Sequence, residues 1–159
     1  MNFMRRIIFM LTALATLSCS NDDDGINSVE ANSVIFGEVY GQCAGDCRSL
    51  FLINDTGIFA DSDSDTDFGN WDNTNFEEEA LSDAKFQYSK GVIEVPESLQ
   101  SFEGELGSQT IADFDYFISI DIGEERKSWT FDEINDDLPS DIKSYLENVI
   151  LVISELREE

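Results

Sequence analysis

Two periodicities organise the C-terminal half of the chain. Ile142, Tyr145, Leu146, Val149, Ile150, Ile153 and Leu156 recur at three- and four-residue spacing. That is the apolar stripe of an amphipathic helix, predicted over residues 139–159, with Asp137 and Asp141 suited to its positive end. Leu151 falls off the stripe. Before the helix, Phe114, Tyr116, Ile118, Ile120 and Ile122 share one face, with Asp115, Ser119 and Asp121 on the other, the period of two expected of a strand. Gly123-Glu124 marks a turn. Residues 125–132 return with Lys127, Trp129 and Phe131 on one side, which predicts a hairpin with Asp121 and Arg126 able to face each other.

The N-terminal half reads more weakly but in the same way. Residues 33–41 (SVIFGEVYG) form a strand with Val34 and Phe36 on one side and Ile35 and Val39 on the other. Residues 49–54 (SLFLIN) are continuously apolar and suit a central strand covered on both faces. Asn54-Asp55-Thr56-Gly57 is a tight turn into a short strand at 58–60, so an antiparallel meander is expected. Residues 61–79 are strongly acidic without Lys or Arg and read as a long loop. Ser82 is placed to cap a short helix ending near Gly91. Pro96 opens a further helical turn to residue 102, and 104–109 reads as loop. The expected fold is α+β: one domain over 33–159, a small antiparallel sheet of about five strands with the C-terminal amphipathic helix packed on one face.

Residues 1–18 have a different character. A basic start (Arg5, Arg6) leads into an apolar run of eleven residues, 7–17, broken only by Thr12 and Thr16. That is too short to span a bilayer and is the length of a secretory signal. An ordinary signal cut at a small residue would leave Cys19 incidental. Leu17-Ser18-Cys19-Ser20, however, resembles the lipobox of bacterial lipoproteins, with Thr16 where that motif favours Leu. Ser20-Asn21-Asp22-Asp23-Asp24 is similar to the short acidic export signal that follows the lipidated Cys in Bacteroidota lipoproteins. The resemblance implies lipidation at Cys19, an export signal of Ser20, Asp22, Asp23 and Asp24, and a lipid-anchored place in the outer membrane facing the cell exterior. Residues 19–32 are then a flexible acidic tether.

Charge narrows the partners. The chain carries −25. Without residues 1–18, 7 basic groups face 34 acids, a net of −27. Such a surface excludes nucleic acid, whose phosphates demand cations. It also disfavours direct contact with an anionic membrane, so the membrane is expected as partner only through the N-terminal lipid. Cationic proteins, other extracellular ligands and metal ions are permitted.

The candidate chemistry is sparse. Once Cys19 is set aside, Cys43 and Cys47 remain in a C-A-G-D-C spacing. A disulfide closing that loop is worth roughly 2 kcal/mol; two free thiols or half of a metal site are the alternatives. There is no His, which removes the usual Ser or Cys nucleophile relay and most zinc sites. No catalytic residue and no cofactor is assigned. Asp61, Asp63, Asp65 and Asp67 alternate as hard-cation ligands do, but Thr66 and Asp72 stand where a calcium loop has Gly and Glu. A solvated loop is the simpler account, with calcium as a weak candidate. Trp71, Trp129, Tyr40 and Tyr116 could form a binding face or fill the core.

The pattern of the folded part, in residues 36–47 (FGEVYGQCAGDC), Leu81-Ser82-Asp83-Ala84-Lys85-Phe86 and residues 116–132, also resembles small uncharacterised Bacteroidota lipoproteins. That group implies no catalytic or binding residue here. The reading is a surface-anchored, non-enzymatic acidic binding or envelope-accessory domain of unknown ligand. Its rivals are an inhibitor or immunity-type protein masking a basic partner site and a calcium-binding surface module.

Overall fold

The structure, a computed structural model, describes residues 27–41, 47–62, 69–108 and 114–157. In chain order the elements are β1 (Ser28–Glu30), β2 (Ser33–Val39), β3 (Arg48–Asn54), β4 (Gly57–Ala60), α1 (Asp83–Ser89), β5 (Glu94–Pro96), α2 (Glu97–Gln100), β6 (Gly107–Ser108), β7 (Asp115–Ile122), β8 (Glu125–Phe131), β9 (Glu133–Ile134) and α3 (Ser140–Arg157). Short 3-10 turns lie at Trp71–Asn73 and Lys90–Val92. The fold is α+β, as expected. A five-stranded antiparallel sheet has the order β4-β3-β2-β7-β8, and β1-β5 and β6-β9 form two small ladders beside it.

The meander 33–60 and the hairpin 115–131 join along β2. Val34 pairs with Ile53 on one side and Ile120 on the other; Phe36 pairs with Phe51 and Ile118. All of these point to one face, where α3 packs with Ile142, Tyr145, Leu146, Val149, Val152, Ile153 and Leu156. The predicted stripe holds, with two adjustments. Val152 is buried where the stripe omitted it, and Ile150 is only partly covered. Leu151, off the stripe, is 61% exposed. Tyr145 donates its hydroxyl to the Val92 carbonyl at 2.8 Å, and burial pushes its phenol far above the ordinary range. Ser82 caps α1, accepting from the Lys85 amide.

The second face, where the sequence placed Ile35 and Val39, is apolar as well. Ile35, Val39, Leu50 and Phe117 form a smaller apolar cluster there with Cys47 and Trp71. The segment 69–76 lies over it. Trp71 is only 7% exposed, Asp61 bridges to Phe76, and the Glu77 amide bonds the Ala60 carbonyl. The stretch 61–79 is therefore not simply a loop. Its acids give no strand or helix period, and Trp71 docks by a tertiary contact that no local pattern carries.

Other expectations also shift. Residues 28–30 belong to the fold rather than to a tether over 19–32: Val29 pairs with Val95, and Ala31 is 4% exposed. Two apolar residues make no period, so only the distant partner reveals the strand. The same holds for Gly107, expected in a loop but paired with Ile134. Continuously apolar β3 is covered on both faces as expected, yet it lies second from the edge; β2 is the middle strand.

Gly37 sets the spacing at the middle of the sheet. At φ +155° its hypothetical Cβ would lie 2.1 Å from the Ser49 carbonyl oxygen and 2.9 Å from the Leu50 Cα, both backbone atoms. Gly37→Ala is expected to cost at least about 2 kcal/mol by forcing β2 and β3 apart. Urea unfolding of the two proteins measures this, and an unchanged midpoint would refute the close approach.

Candidate functional site

The second face of the sheet has an apolar end and a polar end, and a cleft of 370 Å³ opens between them. Val39, Tyr40 and Gly41 at the end of β2, Asp115 and Phe117 of β7, Ser128 to Thr130 of β8, and Gly69, Trp71 and Asp72 line it. Strand alternation brings Asp115, Phe117 and Ser119 of β7 to this face. The Trp71–Asn73 turn supplies the roof, held by Thr74, whose hydroxyl and amide both bond the Trp71 carbonyl.

At the polar end Asp72 is fastened to the edge strand. Its Oδ1 accepts from the Ser128 hydroxyl at 2.8 Å, and Ser128 lies 3.1 Å from the buried Ser119 hydroxyl. Arg126 reaches the Asp72 carbonyl but is committed mainly to Asp121, through Nε at 2.6 Å and Nη2 at 2.5 Å. This is the facing pair anticipated at the hairpin end. The Arg126 hydrogen bonds hold the Asp121 carboxyl below the usual range, against the effect of burial and with help from Ser33. The same pairing raises Arg126.

Asp115 has a different environment. Its Oδ1 is buried with no hydrogen-bond partner among the described residues. Burial, followed by the negative charge of Asp132 across the ladder, raises its carboxyl above the ordinary aspartate range. Such a group is poised to accept from a donor brought by something else. Among the described lining residues there is no Lys or Arg.

Behind the cleft a second carboxylate is secured from within. Glu38, 5% exposed in the middle strand, accepts from Arg157 of the last turn of α3 and from the Tyr40 hydroxyl at 3.0 Å. The charges of Glu38 and Asp132, after burial, lift the Tyr116 phenol. Tyr40, Trp71 and Trp129 are among the residues that line the cleft, as the aromatic reading allowed, with the Trp129 indole donating to the Gly104 carbonyl, whereas Tyr116 packs in the main core.

Of the candidates taken from sequence, Cys19, Ser20, Asp22, Asp23, Asp24, Cys43, Asp63, Asp65 and Asp67 lie outside the described residues. Cys47 is buried at the start of β3, where its carbonyl accepts from the Tyr40 amide at 2.8 Å. Asp61 is engaged in the fold: its Oδ2 accepts from the Leu50 amide and sits 3.7 Å from Nε of the buried Arg48. A carboxylate in that position supports β3 and is not freely available to a cation. Among the described residues no group of three or more His, Cys, Asp or Glu is arranged to hold a metal ion. Asp115 was read only as the polar side of a strand, because alternation cannot tell a solvated carboxylate from one facing a cleft.

Compared with known protein families and with curated proteins, the chain matches none.

Because the Asp121 carboxyl is lowered in the folded state, its stabilising contribution is full above the ordinary aspartate value and fades as pH falls through the lowered one. Asp121→Asn is expected to cost up to about 1 kcal/mol near neutrality. The two proteins should converge in acid once pH falls below the lowered value. Urea midpoints across pH test this, and a gap that widens in acid would refute it.

Proposed function

We propose that the protein is a surface-anchored lipoprotein whose folded part is a non-enzymatic acidic binding module. The observation that carries the address is the junction Leu17-Ser18-Cys19-Ser20 after an eleven-residue apolar run, followed by Asp22, Asp23 and Asp24. The observation that supports binding is the aromatic and carboxylate cleft on the second face. A second reading, an inhibitor or immunity-type protein masking a basic partner site, is favoured by the same concave, acidic geometry. Binding by either route is consistent with a chain whose charge draws cationic partners.

Cell fractionation tests the address. Cys19→Ala should move the protein from the membrane to the soluble fraction, and continued retention would overturn lipidation. Replacing Asp22, Asp23 and Asp24 with Ala should leave it anchored but shielded from external protease. Unchanged cleavage would remove the exterior placement.

The proposal includes a bridge between Cys43 and Cys47. It is supported by the short spacing and by the exported address. Thiol titration of the unfolded, unreduced C19A chain should find no free thiol; two would overturn the bridge.

A further inference from the structure

We propose that the second-face cleft receives the ammonium or guanidinium head of a lysine or arginine side chain presented by a basic protein partner. This deepens the binding-module reading and rests on it. Four independent properties of the cleft converge on that ligand.

The first is acceptor chemistry. Asp115 presents a carboxylate whose Oδ1 is buried and has no hydrogen-bond partner among the described residues. Nearly every buried oxygen in a folded protein is satisfied, so this one, lining an open cleft, is available to a donor from a ligand or from solvent. A cationic N–H is the strongest donor available to it. The second is field. Asp72 lines the cleft, Asp132 acts on Asp115 from the neighbouring strand, and no Lys or Arg is among the described lining residues. The elevated Asp115 carboxyl records the cost of holding negative charge there, and a bound cation would relieve it.

The third is the wall. Trp71, Phe117 and Tyr40 line the same cleft. Aromatic surface accommodates the alkyl stem of Lys or Arg and attracts its head. A bare metal ion gains little from such a wall and needs about six oxygen ligands. The fourth is the approach. The cleft opens at the edge of the sheet, and the whole chain is strongly acidic, so a basic macromolecule is steered toward it while a side chain enters.

Trp71 in the wall is the reporter. The full chain is titrated in moderate salt with Ac-Gly-Lys-Gly-amide, Ac-Gly-Arg-Gly-amide, the acetyl-lysine analogue and free methylguanidinium, following tryptophan fluorescence. The two cationic peptides should give a saturable change and the acetyl-lysine peptide none. Asp115→Asn should weaken the cationic peptides about tenfold or more, with an unfolding midpoint that does not fall, since burial and Asp132 oppose the charge it removes. Asp55→Asn, in the exposed β3–β4 turn, should leave binding intact. No saturable change, equal response to acetyl-lysine, or an equal loss in Asp55→Asn overturns the proposal. Methylguanidinium binding as tightly as the arginine peptide overturns the protein partner in favour of a small cation. Fractionation of Cys19→Ala is unaffected by any of these results, so a failed cleft and a failed anchor are separately visible.

Discussion

The close approach of β2 and β3 at Gly37 is the constraint from which the rest of the architecture follows. β2 is hydrogen-bonded along both edges and covered on both faces, by α3 on one and by the Trp71 segment on the other. A strand in that position has no solvent side to absorb a misfit. With a side chain at 37 the ladder to β3 would have to open. Phe36 would then be drawn away from Phe51, whose ring centroid lies 5.9 Å from its own. The second-face cleft depends on the same strand, because Val39 and Tyr40 form one of its walls.

What was legible in the sequence were the elements that announce themselves by period. The α3 stripe, the β7–β8 alternation and the Ser82 cap all describe local energetics: each element must hide one face or satisfy its own backbone. The hidden parts are those whose reason is remote. Val29 and Gly107 become strand residues because Val95 and Ile134 lie opposite them. Trp71 stands among acids and Asn and is buried only because Ile35, Val39 and Phe117 leave an apolar patch uncovered. Asp115 was visible as a polar residue on a strand. Its significance depends on what faces it, which period cannot report. The proposed address rests on a motif rather than on packing.

The few cations of this acidic chain are largely used internally. Arg48, Arg126, Lys127, Lys143 and Arg157 each lie in an ion pair with an Asp or Glu. They are not of equal weight. Lys143 and Asp136 meet at 3.5 Å with the carboxylate fully exposed, a pair worth little. Arg157 and Glu38 matter more, since Glu38 is buried in the middle strand and would otherwise retain, among the described residues, only the Tyr40 hydroxyl. Arg48, Arg126 and Arg157 thus neutralise carboxylates that the fold largely covers. The outward field stays acidic, and among the described residues that line the cleft on the second face there is no Lys or Arg.

The ordering of Ser28–Glu30 has a mechanical consequence. Among the described residues, a pull from the N-terminal side meets the three-residue β1–β5 ladder first, and Ala31 and Asn32 then lead straight into β2. Load is therefore delivered to the strand with ladders on both sides, while β1 can peel first as a short sacrificial element. Shear applied to the domain from its N-terminal side would be resisted at its best-held strand, and the lifetime under force would follow the unfolding rate of the main sheet rather than of its margins.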